Sequence, residues 1–261
     1  MRRPSPVISL WLLISLALVV FVGLSFMEDL HVGSYYPERA SFKEQLLASE
    51  NTDIPEIEID TVLSVLPADT VIPPDTTIHK IFIFGDSMTH NLSRSIARYG
   101  TKNNYKVTAV TWESSSILGW AGGNRLSDYI AEIKPDFIII SLGSNEMELK
   151  HFDTRGKYVK KILEKIDTIP YIWVGPPLWK PDKGVYSMLE DNIGKERIFR
   201  IDSLDMERGP DHVHPTPKGA DVWVDSLMRW QLKSLHPIPA EKPDSGTSVK
   251  KHRFIYLHTD D

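Results

Sequence analysis

The feature that most restricts what this chain can fold into is a repeated change of hydrophobic period. Runs of strand length, Ile78 to Phe84, Tyr105 to Thr111, Phe137 to Leu142 and Tyr171 to Val174, are dominated by apolar, β-branched and aromatic residues, and Phe199 to Asp202 is a shorter one. Between them apolar residues recur at helical spacing: Leu92, Ile96 and Tyr99, then Leu126, Ile130 and Ile133, then a helix over Thr154 to Ile166. A last helix is expected over about Pro217 to Leu235, with Pro217 in its first turn, where its missing N–H costs nothing. Strands that read apolar on both faces must be covered on both, and strands alternating with helices pair in parallel. The expectation is therefore an α/β fold, a three-layer α/β/α sandwich with a parallel sheet of about five strands. No repeat of 20 to 50 residues is visible.

Segments of other character flank that core. Val7 to Met27 is uncharged and mostly apolar, preceded by Arg2 and Arg3 and closed by Glu28 and Asp29. Roughly 20 helical residues cross a bilayer core of ~30 Å. A cleaved signal peptide is the rival reading, but its apolar region is ordinarily about 7 to 15 residues and ends in small residues. Here the run closes on Phe21-Val-Gly-Leu-Ser-Phe-Met. Residues 1–28 are therefore read as a cytoplasmic tip and an uncleaved transmembrane signal anchor, with everything beyond on the extracytoplasmic side, periplasmic or extracellular. Residues 29–77 read as a stalk: an amphipathic piece from Tyr35 to Glu50, then an acidic, proline-bearing stretch without lysine or arginine. Residues 78–235 carry the α/β pattern. Residues 236–261 read as a flexible tail, in which Arg253 to His258 forms a short strand or stays disordered.

Composition removes several classes of function. The formal charge is -5, and no lysine or arginine run is present, which argues against nucleic acid as a partner. The chain has no cysteine, so a thiolate nucleophile, a cysteine-ligated zinc and disulfides are excluded.

In an open parallel sheet, functional groups collect at the carboxyl ends of strands. Three polar clusters fall there: Gly85-Asp86-Ser87-Met88-Thr89, Gly143-Ser144-Asn145-Glu146 and Asp211-His212-Val213-His214-Pro215-Thr216. A serine hydroxyl needs a base to take its proton and a carboxylate to orient that base. Ser87, His214 and Asp211 supply those roles, with Gly85 letting the chain turn off the strand and Ser87 opening a helix. Asn145 can direct its amide at the oxyanion of a tetrahedral intermediate, beside the Ser87 N–H. The bland alternative is that Asp86 or Ser87 merely caps a helix. His212 and His214 form an HxH pair with no third ligand nearby, which reads as a loop coincidence rather than a zinc site. Trp120 and Trp179, on loops after strands, are candidates either for a substrate groove or for the core.

Taken in order, Gly85-Asp86-Ser87, Gly143-x-Asn145 and Asp211-x-x-His214 resemble the GDS, GxND and DxxH blocks of the SGNH, or GDSL-type, esterases and lipases. The resemblance covers about Ile78 to Leu235 and implies a flavodoxin-like sandwich without metal or organic cofactor. It implies Ser87, Asp211 and His214 as catalytic residues acting on O-acyl, above all O-acetyl, esters of carbohydrate or cell-envelope substrates or other small esters. An O-acyltransferase using the same residues and an inactive tethered binding module remain alternatives. Glu146 stands where the family has aspartate. The family also takes an oxyanion N–H from a glycine after the second strand, and between Thr111 and Gly123 none falls squarely in place. Ser114 best fits that role, with Gly119 the alternative.

Overall fold

The computed structural model describes residues 72–149, 152, 154–201 and 204–259, so the anchor and nearly all of the stalk lie outside the described residues. The apolar runs become β1 (Lys80–Gly85), β2 (Lys106–Trp112), β3 (Phe137–Ser141), β4 (Tyr171–Val174) and β5 (Ile198–Phe199). With β6 (Arg253–Leu257) they form one six-stranded sheet in the order β5-β4-β3-β1-β2-β6. Every pairing is parallel, and in the central register Ile83 lies between Ala109 and Ile139.

Alternation along the strands divides the apolar residues between two cores, because successive side chains point to opposite faces. Ile81, Ile83, Val107, Ala109 and Ile139 pack with α1 (Thr89–Lys102) and a C-terminal helix, Pro217–Gln231. Phe82, Phe84, Val110, Ile138, Ile140 and Trp173 pack on the other face. Their partners there are α2 (Ile117–Ala121), α3 (Arg125–Ile133), α4 (Gly156–Ile166) and α5 (Val185–Ile193), and Pro217–Gln231 on the first face is α6. Helices thus cover both faces of the sheet. Thr216 caps α6 by accepting the Gly219 N–H at 3.1 Å, and Pro217 occupies its first turn as expected.

Two expectations are corrected. The sheet has six strands rather than about five, and the extra one comes from the segment read as a flexible tail. Ile238 is fully buried, and its N–H and C=O bond to the side-chain amide of Gln231 at 2.7 and 2.8 Å. Asn103 bonds the backbone of Glu241 in both directions, and the buried His252 accepts the Val107 N–H at 2.9 Å. Burial pushes the His252 imidazole down to about 4, which keeps it neutral and able to accept. Without β6, β2 would be an uncovered edge, with unpaired backbone groups open to other chains. The second correction concerns β5, which spans two residues and begins one residue earlier than expected, after a 3₁₀ turn at Lys195–Arg197. Among the described residues no helix is long and apolar enough to cross a membrane.

Candidate active site

The carboxyl ends of β1 and β3 approach so closely that only glycine fits between them. A Cβ at Gly85 would stand 1.9 Å from the Ser141 carbonyl oxygen and 2.5 Å from Thr89 Oγ1. The need is for space rather than for a special backbone angle. Asp86 follows, fully buried, and ties the two ends together. Its Oδ1 accepts the Met88 N–H at 3.0 Å, and its Oδ2 accepts the Ser144 N–H at 3.2 Å. Burial pushes its carboxyl up to about 6 against those two donors. Ser87 lies in the resulting turn, two residues before α1 rather than inside it.

The partners of Ser87 arrive on a small hairpin. An antiparallel bridge joins Arg208 to Pro215, reinforced by Gly209 N–H to His214 O at 2.8 Å and Thr216 N–H to Glu207 O at 3.0 Å. At its tip Asp211 Oδ1 accepts the N–H groups of Val213 and His214 at 2.9 and 3.0 Å. Asp211 Oδ2 lies 2.6 Å from His214 Nδ1. The His214 bond first, and then the two amides, hold the Asp211 carboxyl well below the ordinary range. A carboxylate there requires the proton on Nδ1, so Nε2 presents its lone pair to Ser87 Oγ, 2.8 Å away across 127 residues of sequence. Both ring nitrogens of His214 are thereby engaged. His212 projects from the exposed tip at φ 58, and among the described residues no three acidic or histidine side chains gather to hold a metal ion.

A cleft of about 480 Å³ opens beside Ser87 and His214, bordered among others by Ser114, Asn145 and Trp179. Asn145 is anchored by donating from Nδ2 to the Ser115 carbonyl at 2.7 Å. Ser114 reaches the cleft in the left-handed region, at φ 58, a conformation that favours glycine. Gly119 lies inside α2, away from the cleft, and its N–H points at Ser116 Oγ, 3.3 Å away, as part of that helix's cap. Of the two groove candidates, Trp179 borders the cleft. Trp120 does not. It is fully buried in the core, with Nε1 donating to Ser115 Oγ at 3.0 Å, because the short α2 turns it inward.

Two residues that sequence reasoning left without a role join the cluster. Glu146 is fully buried, and its Oε1 accepts the Ile117 N–H at 2.7 Å, bracing the loop that carries Ser114. Its Oε2 has no hydrogen-bond partner among the described residues. Burial, with Asp86 beside it, pushes this carboxyl up to about 7. Arg208 donates to the Val213 carbonyl and to Leu178 O at 3.0 Å, joining the hairpin to the loop that carries Trp179. Glu146 had a signal in the departure of Gly143-x-Asn145-Glu146 from the block it resembles, whereas nothing local to Arg208 marks it. No known family model matches the chain, and no curated protein matches it.

Proposed function

We propose that the chain is a serine esterase of the SGNH type, acting on O-acyl esters, O-acetyl carbohydrate above all. Ser87 Oγ attacks the ester carbonyl carbon while its proton passes to His214 Nε2, and Asp211 stabilises the imidazolium that forms. The tetrahedral oxyanion receives N–H groups from the Asn145 side chain and from the Ser87 and Ser114 backbones. The carbon–oxygen bond to the alcohol then breaks, and His214 returns the proton to the departing oxygen. Water, deprotonated by the same imidazole, attacks the acyl-serine and frees the acid and Ser87. The left-handed backbone of Ser114 fits a position where the SGNH family has glycine, since the role asks for a backbone donor and not a side chain. Reading residues 1–28 as a signal anchor places the substrate in the cell envelope or outside the cell.

One observation carries the proposal: the unbroken contact from Ser87 through His214 to Asp211, drawn from loops far apart in the chain. Ser87→Ala is expected to lower 4-nitrophenyl acetate hydrolysis by about 10⁴-fold or more and to abolish labelling by a fluorophosphonate. Unchanged turnover in that variant overturns the assignment.

A further inference from the structure

We infer that His90 and Glu113, on the β2 side of the cleft, form a subsite for an uncharged, hydroxyl-bearing leaving group of the sugar kind, and that it disfavours esters carrying an anionic group. This rests on the esterase reading above. Both residues border the cleft, and among the described residues along its border Glu113 is the one acidic side chain and no lysine or arginine stands there.

The subsite is built by the segment that the sequence left without a role. Glu113 donates its N–H to the Leu257 carbonyl at 2.9 Å, and its Oε2 lies 3.1 Å from His258 Nδ1. His90, in the first turn of α1, packs at a tilt against the ring of Tyr256 with centroids 4.9 Å apart, and the Tyr256 hydroxyl accepts from Arg94 Nη2 at 3.0 Å. Loss of water on its packed side, with the Arg94 charge beside it, holds the His90 imidazole below its usual range. At neutral pH that ring offers one donor and one acceptor and no charge. A carboxylate accepting two hydroxyl protons, a neutral imidazole beside it and the indole of Trp179 elsewhere on the same cleft suit a polyol ring. A carboxylate or phosphate on the substrate would meet Glu113 with no lysine or arginine among the described residues on the border to offset it, Arg94 standing behind His90 and Tyr256, and like charges facing each other oppose association.

The test compares three substrates: an O-acetylated methyl glucoside, its 6-carboxylate counterpart and 4-nitrophenyl acetate. The full chain is expected to prefer the neutral glucoside over the carboxylate by about tenfold in kcat/KM, and Glu113→Gln to bring that ratio within about twofold of one. Tyr256→Ala, behind the rim, should lower kcat/KM on the glucoside about fivefold while changing nitrophenyl acetate turnover by less than about twofold. A purely structural contribution of β6 would lower both alike and would overturn the subsite. Equal rates on the two glucosides, or a ratio unmoved by Glu113→Gln, overturn the inference alone. Absence of turnover on all three substrates by the folded chain overturns the esterase reading and the inference with it.

Discussion

Ser87 and His214 stand 2.8 Å apart, but the ground beneath each is different. On the Ser87 side, β3 is buried throughout and β1 is buried beyond Lys80, and their ends are locked by a glycine-only contact and by the Asp86 carboxylate. On the His214 side, a hairpin with side-chain exposures of 44% at His214 and 50% at Asp211 is closed by its own backbone and held to the body through Arg208. Packing positions one partner, and a few directional hydrogen bonds position the other. The first arrangement ties the site to global stability. The second allows the site to fail while the fold survives.

Substitutions can break that contrast in either direction. Gly85→Ala should have the largest effect, because its methyl group would overlap a backbone carbonyl that the sheet does not let move. A loss of about 3 kcal/mol, or failure to fold, is expected from the overpacking and is read from the thermal midpoint. A variant with wild-type stability would show that the strand ends are loosely held. Arg208→Ala should do the reverse. The hairpin loses its tie to the Leu178 carbonyl, and kcat on nitrophenyl acetate should fall roughly 10- to 100-fold, as misplaced catalytic groups do. Its melting temperature should stay within a few degrees. A collapse in stability matching the loss in rate would mean that the two regions are not separable.

The smallest effect concerns protons. Asp86 is pushed up to about 6 and Glu146 to about 7, each from an ordinary value near 4. At these two groups the native chain therefore keeps protons that the unfolded chain gives up, and their contribution to stability falls as pH rises through the window from about 4 to 7, against the opposite contribution of the depressed His252. Glu146→Gln keeps an acceptor for the Ile117 N–H and removes one ionisation, so between about pH 4 and 7 its denaturation midpoint should gain relative to that of the unsubstituted chain as pH rises. An unchanged slope would show that Glu146 ionises freely in the native state.

Much of this architecture was legible because burial writes a strong signal. Phe137 to Ile140 and Tyr171 to Val174 are apolar throughout, which leaves a covered parallel strand as the natural reading. The grouping of Ser87, Asn145, Asp211 and His214 was legible too, because three short blocks, each weak alone, agree in order, spacing and placement after strands. β6 was legible only as one of two options for Arg253 to His258, because an edge strand is partly exposed and Arg253 to Leu257 carries no clean alternation. α2 was not legible, being a helix of five residues, too short to show a period, and its direction is what sends Trp120 into the core. The contributions of Arg208 and Glu146 depend on backbone groups that only the fold brings near them.

The direction of β1 has a practical consequence. The chain enters this strand at Lys80, just after a segment held by the Asp75 N–H on the Pro237 carbonyl, and leaves it toward Ser87. Six residues at about 3.3 Å each separate the point of entry from the mouth of the cleft by ~20 Å. A bead or surface coupled through residues just ahead of Ile78 therefore grips the domain by its far pole, leaving the opening turned outward to bulky polymers.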